Sequence, residues 1–326
     1  MAQLQSTIIT QCLNLSTTTV CSGATGYLWY NTSINKLQYS YQSTGSATWS
    51  SGGAMIVARS SLAGAGTRTA ALAFGGLGIG AQSCTETYNG STWTAGGAMS
   101  AARYYLAGAG TNTAALAFGG FCGGGARSCT ETYNGTSWST GGVMIKARQF
   151  LAGAGTNTAA LAFGGYCSTT SLTCTETYNG TSWTAGGALS TSRYTLAGAG
   201  TNTATLAFGG YTNTPFAFRA CTETYNGSTW STCTAMITAR RCLAGAGTNT
   251  AAIAFGGLNS SYTMVACTET YNGSTWTAGG AMITARTVLA GAGTNTAALG
   301  FGGAAPGNVA CTESYVASVS IQVCTL

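Results

Sequence analysis

A tryptophan returns six times at nearly constant spacing: Trp49, Trp93, Trp138, Trp183, Trp230 and Trp276 lie 44, 45, 45, 47 and 46 residues apart. The sequence around each is close to a copy of the last. A period of this length belongs to blade-type β repeats, in which no unit can bury its apolar face alone and neighbours must stack. Within one unit, Leu106-Ala-Gly-Ala-Gly110 and Ala114-Ala-Leu-Ala-Phe118 flank the polar turn Thr111-Asn112-Thr113, which reads as two short strands. After a loop, Cys129-Thr-Glu-Thr-Tyr133 is a third strand, Asn134-Gly135 supplies the positive backbone angles of a tight hairpin, and Trp138 marks a fourth. No segment carries a helical period. The class expected is all-β, with four-stranded antiparallel blades.

Counting units closes a circle. The Leu-Ala-Gly-Ala-Gly strand begins six times, at Leu62, Leu106, Leu151, Leu196, Leu243 and Leu289, and the Cys-Thr-Glu strand also occurs six times. The last copy has no tryptophan strand after it, and Trp49 has no matching strands before it. The stretch from Ser46 to Gly53 therefore completes the last blade, and a six-bladed propeller closed by an N-terminal strand follows. The organisation expected is an arm over 1–43, a propeller over 44–318 and a C-terminal strand or tail over 319–326. The first strand of each unit has almost no side-chain bulk, which suits the crowded centre of a radial array. Leu116 and Phe118 of the second strand are the expected packing residues against the next blade.

The charges follow the same rhythm. The only acidic residues are Glu86, Glu131, Glu176, Glu223, Glu269 and Glu313, all at one position of the third strand, and the chain has no Asp and no His. Six of the twelve cations, Arg59, Arg103, Arg148, Arg193, Arg240 and Arg286, each stand ten residues after a Trp. Buried charges need partners, so these twelve residues are expected to form structural buried ion pairs, with the individual pairings left open. The surface then keeps Lys36, Arg68, Arg127, Lys146, Arg219 and Arg241, which together account for the net charge of +6.

General acid–base catalysis needs a titratable group in an environment of its own, and a glycosidase needs two carboxyls with different surroundings. Six equivalent copies supply neither, so no catalytic residue, no cofactor and no enzymatic activity are expected. A ring of glutamates holding a cation in the central channel is the alternative to pairing, and equal numbers of Glu and Arg favour pairing. No metal site is expected, since His and Cys-x-x-Cys are both absent.

Of the thirteen cysteines, Cys122 with Cys129 and Cys167 with Cys174 flank short loops and are disulfide candidates, with Cys233 and Cys242 as a third pair. The alternative is free thiols acting as small buried hydrophobes. Asn89, Asn134, Asn179, Asn226 and Asn272 match the N-glycosylation pattern but are explained by hairpin turns. No apolar run reaches the roughly 18 residues of a membrane span, and the first residues lack the pattern of a secretory signal.

The copies differ most between the second and third strands, over 77–83, 121–128, 166–173, 211–220, 258–266 and 304–310. A ring of equivalent scaffolds that varies there has placed its individuality in those loops. In a four-stranded meander they share a face with the segments joining successive blades. They carry Phe121, Arg127, Tyr166, Tyr211, Phe216, Phe218, Arg219 and Tyr262, the candidate ligand-binding residues, suited to stacking on sugars or anchoring a protein. The alternative is that each ring plugs its own loop base. Nucleic acid is not an expected partner, because the unpaired cations are scattered along the chain. The opposite face, with its Thr-Asn-Thr and Asn-Gly turns, is monotonous.

Gly-Gly after an apolar strand, Tyr about a dozen residues on, Trp five or six later and Arg before the next strand resemble the kelch repeat. The resemblance covers roughly 44–318 and implies architecture rather than activity, since kelch propellers serve as enzymes, adaptors and adhesins. Kelch-type oxidases bind copper through Tyr and His, and this chain has no imidazole to offer. Sialidase-like propellers carry Ser-x-Asp-x-Gly-x-x-Trp, of which Tyr88-Asn89-Gly90-Ser91-Thr92-Trp93 keeps only Gly and Trp.

The segment from Gly26 to Gln38, with Trp29 and Tyr30, resembles a hairpin of bacteriophage tail-fibre and virion proteins. These resemblances imply a non-enzymatic virion structural protein, a fibre, appendage or decoration, located on the phage particle. Its partners would be other virion proteins and sister copies through the arm, and a host surface glycan or protein through the propeller. The alternative is a cytoplasmic kelch-type interaction adaptor.

Overall fold

The computed structural model describes residues 27–31, 33–34, 36–44, 47–317 and 319–325, so residues 1–26 of the expected arm lie outside the described residues. Two compact units are present, one spanning Ser46–Ala317 and the other holding the described residues before and after it. Among the described residues, no helix is long and apolar enough to cross a membrane.

The larger unit is an all-β six-bladed propeller of four-stranded antiparallel sheets. In blade 1 the strands run from the axis outward as Ala63–Gly66, Ala71–Phe74, Thr85–Tyr88 and Trp93–Gly96. Blades 2 to 5 repeat this order. Blade 6 takes Ala290–Gly293, Ala297–Phe301 and Thr312–Val316 from the end of the propeller and its outer strand, Thr48–Ser51, from the beginning, with Trp49 opposite Tyr315. The ring therefore closes through backbone hydrogen bonds between the two ends of the unit.

Large side chains meet small ones at each blade interface. Leu72 and Phe74 of blade 1 pack against Ala115 and Ala117 of blade 2, and Leu299 and Phe301 of blade 6 against Ala71 and Ala73 of blade 1, all at 0 % exposure. Each buried Leu or Phe contributes about 2–3 kcal/mol relative to exposure. At the axis the small residues are obligatory, since a Cβ on Gly108 would lie 2.6 Å from Phe74 Cζ and 3.0 Å from the Gly64 carbonyl oxygen. Farther out, each Trp lies on the Phe of the preceding blade, and its Nε1 donates to a Thr Oγ1 there. The Trp183 bond to Thr130 is 2.9 Å, and the closing contact from Trp49 to Thr268 is also 2.9 Å. The bond orders the ring and satisfies a buried indole N–H.

The Asn-Gly turns behave as turns. Asn134 Oδ1 accepts the N–H groups of Thr136 and Ser137 at 3.0 and 2.9 Å, and Gly135 sits at φ +96°. This Asx arrangement recurs at the other four Asn-Gly sites. In the smaller unit, Tyr27–Asn31, Lys36–Thr44 and Val319–Thr325 form a three-stranded antiparallel sheet with Lys36–Thr44 in the middle. The chain's last described segment is thus already a strand partner of the hairpin.

Candidate functional site

All six carboxylates are bound. The pairs are Arg59–Glu86, Arg103–Glu131, Arg148–Glu176, Arg193–Glu223, Arg240–Glu269 and Arg286–Glu313. Every one of these arginine side chains is at 0 % exposure. Each Arg lies in the segment entering a blade and reaches the Glu of that blade's third strand, so the pair fastens the connection onto the sheet. Glu176 also accepts the backbone N–H groups of Ile145 and Lys146 at 2.7 and 3.2 Å.

Blades 2 and 4 differ in a small way: Ser100 and Ser190 stand where blades 1, 3, 5 and 6 carry an exposed Ile. Their hydroxyls donate to Glu131 and Glu223 at 2.7 Å. Burial pushes Glu131 up, but the Ser100 hydroxyl and N–H and the Arg103 guanidinium outweigh it and hold the carboxyl below its ordinary value. Burial also draws Arg148, Arg240 and Arg286 below the ordinary guanidinium range, against the pull of neighbouring Cys and Glu.

The disulfide candidates are corrected by the loop register. Cys122, Cys129, Cys167 and Cys174 are free thiols, as are Cys233 and Cys242. The loops form their own two-residue ladders, in which Cys122 faces Gly125 and Cys167 faces Thr170, so neither points to the later cysteine. Cys174 instead meets its blade's arginine, with Arg148 Nη1 2.8 Å from its Sγ.

The variable loops and the connections between blades share one face and are tied together there. Tyr104 pairs with Phe121, Gln149 with Tyr166, Tyr194 with Tyr211, and Arg241 with Leu258. At the centre of this face Ser61, Tyr105, Phe150, Thr195, Cys242 and Val288 occupy equivalent positions just before the inner strands. All six have left-handed backbone, with φ between 49° and 57°. For β-branched and aromatic residues this conformation costs about 1–2 kcal/mol each.

A closed circle of backbone hydrogen bonds holds them. Ser61 N–H donates to Val288 O at 2.8 Å, and Tyr105 to Ser61, Phe150 to Tyr105, Thr195 to Phe150, Cys242 to Thr195 and Val288 to Cys242 all at 2.9 Å. With the leucines that follow them, these residues line an open depression with a volume of about 90 Å³, room for one small group rather than a whole sugar.

From this centre an aromatic band runs outward over blades 2 to 5. Tyr105 and Phe150 lie 3.7 Å apart between ring centroids, Phe150 and Tyr194 5.8 Å, and Tyr194 is 4.9 Å from Tyr166 and 5.7 Å from Tyr211. Tyr211 continues to Phe218 at 5.0 Å, and Phe218 to Tyr262 at 5.1 Å. Arg241 stands among these last three, its Cζ 4.6, 5.1 and 5.6 Å from the Tyr211, Phe218 and Tyr262 centroids, within cation–π range. Burial raises the Tyr105 and Tyr194 hydroxyls above their ordinary range. Blades 6 and 1 put Thr287, Val288, Ser60 and Ser61 at the corresponding places, so the band is one-sided.

Most of the residues nominated from the sequence lie in this band or beside it. Phe216 and Tyr262 are exposed, at 75 % and 63 %. Phe121, Tyr166 and Phe218 are half-buried, and Arg219 is tied to Thr212 Oγ1. Tyr211 departs from the expectation of a contact residue: it is buried and forms the floor under Arg241. Arg127 lies at the base of the blade 2 loop, where its N–H donates to Gly120 O, and its side chain reaches along the loop to donate to Cys122 O.

Sequence reasoning missed Tyr104, Tyr105, Phe150, Tyr194 and the placement of Arg241. A signal was present, because no two copies carry the same pair of residues between the invariant Arg and Leu.

No protein-family model matches the chain, and no curated protein matches it. Among solved structures, the chain is similar to the one titled "Structure of YjhT", with a TM-score of 0.69 at 14 % identity, covering 82 % of this chain and 99 % of that one. At that identity the likeness is one of fold, and a β-propeller is compatible with a role in binding.

Proposed function

We propose that this chain is a non-enzymatic structural protein of a bacteriophage virion, a fibre, appendage or decoration, whose kelch-like propeller binds a host surface glycan or protein. The observation that carries the binding part is the concentration of individuality on one face. Six rotationally equivalent left-handed positions, where glycine would be relaxed, carry six different side chains, and the aromatic band begins there. Strain of this kind persists where a side chain is needed at that spot.

The non-enzymatic reading is supported by the carboxylates, all of which are engaged with arginines. The virion reading rests on the resemblance of the hairpin around Trp29 to those of tail fibres. The three-stranded unit is then the attachment module, joining other virion proteins and sister copies by strand addition. Immunogold labelling of particles and of cell fractions tests the placement. Gold on virion appendages is the expected result, and gold confined to the host cytoplasm would replace this reading with a cellular adaptor.

A further inference from the structure

Resting on that binding reading, we infer that the aromatic band is a receptor for an acidic glycan, a saccharide carrying a carboxylate, sulfate or phosphate, with Arg241 as the group that recognises the anion. Every acidic residue is consumed in a buried pair, so the remaining charge of the propeller comes from Arg68, Arg127, Lys146, Arg219 and Arg241. Only Arg68 lies in a turn of the opposite face, where it donates to Ser314 Oγ at 3.1 Å. The other four belong to variable loops or to the segments joining blades. Folding thus gathers cations that are scattered in sequence onto the aromatic face, with no carboxylate there to neutralise them.

Arg241 is set apart from the other three. Three rings hold its guanidinium, and where the six paired arginines share its buried, unpartnered Nε but bond through their Nη groups, none of the Arg241 side-chain N–H groups has a hydrogen-bond partner among the described residues. The arginines of the ion pairs each have a glutamate, and Arg219 has Thr212. Arg241 has neither. A planar guanidinium stacked on rings, with donors left over, is matched by an oxyanion, which can accept two of them at once.

Tyr262, which touches Arg241, and Phe216, 6.3 Å from the Tyr211 ring beneath it, are broadly open, enough to stack one or two pyranose faces. A single-stranded nucleic acid would need successive open rings for successive bases; here the intervening rings are buried or half-buried against one another.

The test uses the full chain and immobilised hyaluronate, chondroitin sulfate, a phosphate-bearing teichoic acid, neutral dextran and a single-stranded thymidine oligonucleotide. Retention of one or more acidic polymers, weakened by salt, and none of dextran is expected. The arm that binds identifies the anion as carboxylate, sulfate or phosphate. Arg241→Gln should lower that affinity about tenfold or more, the loss of a charge-assisted hydrogen bond. Arg68→Gln, on the opposite face, should leave it within about twofold. A melting midpoint like that of the parent shows that Arg241→Gln folds, and Arg241→Lys, which keeps the charge but loses the planar fork, should fall between.

Equal binding by Arg241→Gln, failure of all the acidic polymers, or tighter binding of the oligonucleotide each overturns the inference. Adsorption of the chain to host cells separates this from the reading beneath it. If Phe216→Ala and Tyr262→Ala abolish adsorption while acidic polymers fail, the face binds something else; if they leave adsorption unchanged, the face itself is wrong.

Discussion

Replacing Glu176 by Gln keeps the shape of the side chain and removes its charge. In the parent, Oε2 accepts Ile145 N–H at 2.7 Å, while Oε1 accepts Lys146 N–H at 3.2 Å and Arg148 Nη2 at 2.9 Å. A carboxamide accepts at one end only. With its NH₂ turned to Ile145, that backbone N–H meets a donor and is orphaned, at a cost of about 1–3 kcal/mol. Arg148, at 0 % exposure, keeps a neutral acceptor but no counter-charge. The opposite orientation strands Lys146 N–H and Arg148 together and is worse. Breaking a buried pair from one side costs about 3–5 kcal/mol, and Glu176→Gln should fall in that range.

Denaturant unfolding of parent and variant measures it as a shift in midpoint at unchanged slope. Arg148→Met in the Glu176→Gln background should recover part of the loss, because no uncompensated charge remains, giving a coupling of at least about 1 kcal/mol. A loss below about 1 kcal/mol for Glu176→Gln alone, the range of exposed pairs, would refute the account of these pairs as desolvated staples.

The pH profile should be asymmetric. Glu131 is held below its ordinary value of 4.5, so its stabilisation is complete above that value and is lost as pH falls through the lower folded value. Because the chain has no histidine, the melting temperature should stay level from pH 5 to 8 and drop only in acid. Thr130→Val removes the acceptor of Trp183 Nε1 at a fully buried site, and calorimetry should register a loss of about 1–3 kcal/mol. At Val288, φ +49°, the Gly variant should be more stable than the Ala variant by about 1 kcal/mol, since only Ala keeps the left-handed strain. Equal unfolding midpoints for the two would remove strain from the argument. Dithiothreitol should leave the melting temperature unchanged, and a thiol titration should find Cys122, Cys129, Cys167 and Cys174 free; a drop on reduction would restore the disulfides.

Much of the propeller was determined by the sequence alone. A period near 45 residues, Asn-Gly turns and a Trp strand with no partners before it set the strand count, the blade count and the closure by Thr48–Ser51. These are local or periodic signals, carried by backbone angles and by side chains that alternate along a strand. The burial of Glu and Arg was legible for the same reason, since two opposite charges per unit in an apolar strand leave few alternatives.

What only the tertiary structure decided is which residues meet across blades. Tyr105 and Phe150 are 45 residues apart in sequence, yet their rings lie 3.7 Å from each other. Arg241 finds its three rings in the loops of two different blades. Cys122, seven residues from Cys129, faces Gly125 instead. Rotation about the propeller axis brings equivalent positions of successive units side by side, and the hydrogen-bonded circle at the centre holds them there. Sequence distance carries no record of that geometry. Four of the six cations that looked scattered along the chain are therefore gathered on one face by the closure of the ring.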